Sequence, residues 1–379
     1  MPSQALETTH TLATARAGAV AQLVGSVPLN SAEEVFRAVA GELGARVRRI
    51  PDGETGDRTG WVGFQIPMLA GHESFEIVPS GEPDARESDL DKVARAEGED
   101  YTLPVFALRP GVAAQALQFG DLGYARSAIA SYATFARLKD AGVIGPDTRF
   151  QVSLPTPLAL LLLFVSSRDQ LRVEPAYKAA LLRELDQIGA AIPGSELAVQ
   201  WDIAPELALL EGVLESVFDD AEGELTGRFV ELGNAVPAPV QLGFHLCYGD
   251  FGHQHFVQPR DMSVLATLTG QIIAGLRRPL DWVHMPVPRD RDDDAYFAPL
   301  RQLRLPADTE LFLGLIHATD GMDGARRRIA AAQRWSPPFG VATECGLGRR
   351  SPESVPALLG LHRSAADYLA TTLGCQSAG

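Results

Sequence analysis

The stretch FHLCYGDFGHQH (residues 244–255) sets His245 and Cys247 two positions apart at the end of an apolar run. Side chains at i and i+2 of an extended strand leave the backbone on the same side, so both can grip one ion. A second stretch, ATECGLGRR (342–350), supplies Glu344 and Cys345. Two thiolates and an imidazole suit zinc, a borderline-soft cation that keeps an open position when the protein supplies three ligands. Zinc there would lower the pKa of a bound thiol and deliver a thiolate nucleophile at neutral pH. The competing reading is that both cysteines are buried and inert, as free cysteines often are. H-x-C arises often by chance; its weight depends on the elements that carry it.

Those elements alternate. Apolar, often β-branched runs occur at QLVGS (22–26), RVRRIP (46–51), RFQVSLP (149–155) and LAVQWDI (197–203). They continue at PVQLGFHL (239–246), DWVHMP (281–286), ELFLGLIH (310–317) and FGVATE (339–344). Helical patterns fill most gaps: 31–45, with Ser31 as N-cap, then 174–192, 261–276 and 323–335. Eight β-strand/α-helix units in succession predict an α/β fold, a (β/α)8 TIM barrel, as one domain over residues 1–379. An open doubly wound sheet would call for a Gly-rich phosphate loop after the first strand, where the chain reads GSVPL instead. Roughly a hundred residues separate the second strand from the third, too many for a βα connection. Residues 59–148 therefore read as a large insertion after strand 2, on the second βα loop. It serves either as a lid over the barrel mouth or as a stabilising or dimerising appendage.

In such barrels the functional side chains sit at the C-terminal ends of the strands. Those ends read Gly25-Ser26, PDGETGDR (51–58), PTP (155–157), and Asp202 with Glu206. The second half adds His245-Leu246-Cys247-Tyr248, HMPVPRD (284–290), His317 with Asp320, and Glu344-Cys345-Gly346. Three of the eight histidines and two of the three cysteines fall there, so His245, Cys247 and Cys345 converge from strands five and eight. An imidazole is well placed for proton transfer, so His317 is a candidate acid or base, with Asp320 beside it. The alternative is that it only ties a loop. Tyr248 could donate to a developing oxyanion. Asp52, Glu54, Asp57 and Arg58 form a dense polar turn that could bind an amine or hydroxyl; the bland reading is turn chemistry plus a salt bridge. His253 and His255 read as loop residues and the charge run 289–300 as a solvated face. Arg349 and Arg350 could bind a carboxylate or phosphate.

The net charge of −15 argues against nucleic acid or an anionic membrane as partner. The apolar run at 158–165 is too short to span a bilayer and reads as a buried helix. The first residues lack an apolar signal-peptide core, which predicts a cytoplasmic protein. Three cysteines make no disulfide framework, and Cys375, in a polar tail, reads as incidental.

Four segments carry a resemblance. GFHLCYGDF is similar to the H-x-C-Y segment of cobalamin-independent methionine synthases, and ATECGLGRR to their D-C-G-L-K-T-R segment. QWDIAPEL (200–207) resembles their Q-I-D-E-P-A-L, and LVGSVP (23–28) their G-S-F-P. The segments keep the family's order and correspond to its catalytic C-terminal barrel. The chain also resembles a bacterial and fungal subgroup of the same barrel superfamily, which includes uroporphyrinogen decarboxylase and coenzyme M alkyltransferases. The resemblance implies that His245, Cys247 and Cys345 are zinc ligands, and that Asp202 matches an aspartate holding the amino-acid substrate. Ser26 and Glu206, in matching segments, join Asp52, Glu54 and Arg58 as substrate-binding candidates. The family's fourth ligand, a glutamate ending strand six, has no counterpart in WVHMPVPRD; His284 and Glu344 are the candidate replacements.

The expected function is a zinc-dependent methyl- or alkyl-transferase acting on a small-molecule thiol or similar soft nucleophile. A separate alkyl donor is required, and a homo-oligomer is compatible. The alternative is a zinc-dependent lyase or hydrolase of a small carbonyl-containing substrate. A metal-free binding protein or decarboxylase is a third reading.

Overall fold

Seven of the eight expected strands form one parallel sheet. In the computed structural model, which describes residues 20–79, 103–250 and 254–376, nine strands occur in chain order. These are β1 (Arg49–Pro51), β2 (Phe75–Ile77), β3 (Phe106–Leu108), β4 (Arg149–Pro155) and β5 (Leu197–Ile203). They continue with β6 (Gln241–Leu246), β7 (Trp282–Pro286), β8 (Glu310–Ile316) and β9 (Phe339–Thr343). The large sheet has the order β1-β4-β5-β6-β7-β8-β9, and every neighbouring pair in it is parallel. Helices cover it, so strands such as β5 are buried on both faces and read as near-continuous apolar runs. The apolar stretch at 158–165 is a buried helix, Pro157–Phe164, and no helix among the described residues is long and apolar enough to cross a membrane.

The expected first strand is the exception. Gly25 lies within it and Pro28 just beyond it, and residues 20–27 make single bridges instead of a ladder. Ala21 bridges Val341 on β9 and Ser26 bridges Gly53 just past β1, so one segment reaches both edge strands of the sheet. Its carbonyls, deprived of ladder partners, need other donors. Buried glutamines supply them. Gln151 Nε2 donates to Val24 O at 2.8 Å and Gln200 Nε2 to the same oxygen at 2.7 Å. Gln22 Nε2 donates to Gln151 Oε1 at 2.6 Å, and Trp282 Nε1 to Gln200 Oε1 at 3.3 Å.

Between β1 and β4 runs the long connection. It holds the antiparallel pair β2–β3, registered Phe75 to Leu108 and Ile77 to Phe106. It also holds the helix Tyr124–Asp140, whose Phe135 packs 5.5 Å from Phe150 of β4, ring centre to ring centre. β3 is tied to the body by Ser166 N–H donating to Phe106 O and by Leu108 N–H donating to Asp169 Oδ2. Residues 80–102 of the expected insertion lie outside the described residues.

The N-terminal end of the sheet is closed by a buried cation. Arg49 lies 4.2 Å over the Trp282 ring and pairs with Glu310, which also binds Arg48 at 2.9 Å. Removing one partner of such a pair strands the other charge in the core. Glu310→Gln is therefore expected to lower unfolding free energy by about 3 kcal/mol. Denaturant unfolding checks this; an unchanged midpoint would show that Arg49 is not held by the pair.

Candidate metal centre

Register aligns the first row of candidate residues. Asp202 on β5, His245 on β6 and His284 on β7 are successive Cα partners, so their side chains leave the sheet on one face. Cys247 follows the end of β6, where its N–H still donates to Ile203 O at 2.8 Å. Cys345 follows β9. That turn is shaped by Gly314 of β8, where a Cβ would meet Glu344 Cα at 2.7 Å and Thr343 O at 2.9 Å. It is pinned by Ser26, which accepts from Leu347 N–H at its carbonyl (2.8 Å) and from Gly348 N–H at Oγ (3.2 Å).

These loops bring the two sulfurs to 3.5 Å of each other. Ligand atoms of His245, Cys247 and Cys345 all lie within 4.8 Å, and among the described residues this is the one group of its kind. The hydrogen bond to Cys247, together with burial, pushes the Cys345 thiol well above its ordinary range. Two sulfurs this close resist sharing negative charge unless a cation lies between them. Burial, then the nearby His284, holds His245 well below the usual imidazole range, and burial lowers His284 to about 4. Burial thus favours the neutral form of both rings. They meet Nδ1 to Nδ1 at 2.7 Å, while His284 Nε2 lies 2.9 Å from Thr343 O.

A second, acidic group lies beside Asp202. Its Oδ1 accepts from Gln200 Nε2 at 2.9 Å and its Oδ2 from Trp61 Nε1 at 3.1 Å. In the polar turn 51–58, Asp52, Glu54 and Arg58 are buried, each under a tenth exposed, whereas Asp57 is exposed. Asp52 Oδ1 accepts from Glu54 N–H at 3.0 Å, and Glu54 sits 3.7 Å from Arg58, which donates to Ser153 O at 3.1 Å. Burial pushes Glu54 up to about 7, and burial plus Glu54 pushes Asp202 well above the carboxylate range. Glu54 and Trp61 hold left-handed φ of 53° and 54°, a conformation that costs non-glycine residues energy.

The remaining candidates are engaged elsewhere. His317 Nε2 lies 2.8 Å from Val287 O, and its Nδ1 lies 3.4 Å from Glu344 Oε2. Glu344 also accepts from Arg350 at 3.2 Å; burial would raise it, but His317 and Arg350 outweigh that and hold it at about 2. Tyr248 donates to Glu211 Oε1 at 2.7 Å. Asp320 takes both terminal nitrogens of Arg328, at 2.7 and 2.8 Å. Glu206 accepts from Thr156 Oγ1 and from Ala204 N–H, and lines a small cavity with Glu174, Lys178 and Arg228. His253 and the side chain of Cys375 lie outside the described residues. Two participants were not foreseen. Gln200 was legible as the i−2 neighbour of Asp202 on one strand face; Trp61, on a distant loop, carried no local signal.

No protein-family model and no curated protein sequence matches the chain. Solved structures do. One is a Listeria monocytogenes protein provisionally named a vitamin-B12 independent methionine synthase. It has 13% identity and a TM-score of 0.53, over 92% of this chain and 96% of that one. Another is a methyltransferase from Methanosarcina mazei, with 12% identity and a TM-score of 0.50, over 94% of this chain and 97% of that one. These likenesses establish the fold. It is an α/β architecture, barrel-like, shared with both proteins along nearly their whole length.

Glu206 offers a test of the electrostatics around this fold. Burial raises its carboxyl from an ordinary 4.5 to about 7. A raised acid contributes stability below its unfolded pKa and loses it as pH climbs through the folded value. Relative to wild type, Glu206→Gln should thus gain stability between pH 4.5 and about 7, by on the order of 3 kcal/mol. Urea unfolding across that range measures it; a difference independent of pH would mean Glu206 is ionised in the folded protein.

Proposed function

We propose that the chain is a zinc-dependent methyl- or alkyl-transferase that acts on a small-molecule thiol or similar soft nucleophile. His245, Cys247 and Cys345 would hold the metal. The observation that carries this reading is the approach of two sulfurs, one buried and one half-buried, to 3.5 Å beside a buried imidazole. The donor set fits: tetrahedral zinc with Zn–S bonds of about 2.3 Å holds two sulfurs about 3.8 Å apart. When bound, zinc would make a coordinated thiol acidic enough to be a thiolate nucleophile at neutral pH. The protein's residues do the rest. Asp202, Glu54 and Asp52 against Arg58 leave an excess of buried acid, which suits a substrate carrying an amine. Gln200 and Trp61 orient the Asp202 carboxylate toward it.

The same reading takes residues 20–27 as the eighth stave of a closed (β/α)8 barrel, supported by the two bridges from Ala21 and Ser26. It takes 59–148 as an insertion that covers the mouth, supported by Trp61 reaching Asp202. A cytoplasmic setting would keep both thiols reduced. One observation favours the zinc-dependent lyase or hydrolase instead: the His317–Glu344 pair lies next to Cys345 and could move a proton.

Purified protein should carry about one zinc per chain, and Cys247→Ser or Cys345→Ser should lose it with the circular dichroism spectrum intact. Stoichiometric zinc in either variant would refute the ligand assignment. Cobalt-substituted protein titrated with amino thiols such as homocysteine should develop thiolate-to-cobalt absorption. Asp202→Asn should keep the metal and weaken that response about tenfold, the size of one lost charge-assisted hydrogen bond. A spectrum indifferent to thiols would favour the lyase or hydrolase.

A further inference from the structure

We propose that His284 is a positioning residue: it fixes His245 in the tautomer protonated on Nδ1, leaving the Nε2 lone pair for the ion held with Cys247 and Cys345. The ion depends on the function proposed above; the tautomer depends only on hydrogen bonds within the chain.

Thr343 O can only accept, so His284 Nε2, 2.9 Å away, carries a hydrogen. A neutral imidazole has one N–H, and burial of both rings favours the neutral form. His284 Nδ1 is then bare and must accept. The nitrogen facing it at 2.7 Å is His245 Nδ1, which is therefore the donor. His245 spends its single proton there, and its Nε2 is a bare lone pair. Were His284 reversed, the proton of His245 would sit on Nε2 and block coordination. A ligating histidine commonly has its second nitrogen held in this way, by a carboxylate or a carbonyl. Here another histidine occupies that place and passes the hydrogen bond on to a carbonyl.

The contact also has a mechanical side. Thr343 ends β9, two residues before Cys345, whereas His245 sits on β6. His284, on β7, thus ties the strand bearing the imidazole ligand to the strand leading to a thiolate ligand. With both nitrogens engaged, His284 would have to give up its Nδ1 contact with His245 to serve as a ligand itself, because Nδ1 is its one bare nitrogen.

Two-bond 1H–15N correlation spectra of the metal-free protein read the tautomer directly. Wild type should show His245 protonated on Nδ1; protonation on Nε2 overturns the proposal. In His284→Leu that signature should be lost, and zinc affinity, measured by chelator competition, should fall about 10- to 100-fold. His284→Gln can accept through Oε1 and donate through Nε2, so it should recover most of both. Unchanged affinity and tautomer in His284→Leu would overturn the proposal, as would failure of the glutamine to do better than leucine. Wild-type protein that takes up no zinc would refute the metal reading alone, because the metal-free spectra decide the tautomer separately.

Discussion

The site exists because the sheet is curled. β6 and β9 are separated by β7 and β8, three strand spacings, which in a flat sheet would be about 14 Å. The sulfurs that follow those two strands are 3.5 Å apart. The same curvature lets a ring on β7 reach a carbonyl on β9. A sheet so bent leaves two edges, and residues 20–27 bridge to both. What satisfies that segment inside is not a ladder but the side chains of Gln151 and Gln200, and Gln200 is also the residue that holds Asp202. The closure of the fold and the orientation of an active-end carboxylate therefore share one amide.

Two electrostatic environments lie side by side at the strand ends. Around His245 and His284 burial favours neutral rings, the contact with Cys247 and then burial push the Cys345 thiol upward, and the group offers soft donors for a cation. Around Asp202 and Glu54, burial and like charge push carboxyls upward, with Arg58 as their buried counter-charge. Titratable groups driven away from their ordinary values in this manner are typical of functional clefts. On the function proposed, a molecule with a thiol at one end and an amine at the other would find a matching partner in each.

Much of the fold was legible because buried parallel strands leave strong local patterns. RFQVSLP and LAVQWDI coincide with β4 and β5, and most other runs differ from their strands by a residue or two at the ends. QLVGS makes single bridges and no ladder for a tertiary reason: its Val24 carbonyl is met by glutamine side chains from other strands, which no local pattern encodes. At the site, the convergence of His245, Cys247 and Cys345 could be read from strand-end positions alone. The roles of their neighbours could not. Whether His284 faces an ion or another ring depends on register with β6 and on Thr343 across the barrel. Whether PDGETGDR is a surface turn or a buried charge cluster depends on what packs over it. Tyr248 and His317 were marked for their chemistry, yet each is held by a partner remote in sequence, Glu211 or Val287.

The central claim is that two sulfurs and one imidazole of this chain hold a zinc ion. X-ray absorption at the zinc edge of the purified protein tests it most directly. The account predicts two sulfur scatterers at about 2.3 Å and an imidazole nitrogen at about 2.0 Å, with the remaining position filled by a light atom. A zinc shell made only of nitrogen and oxygen would contradict it.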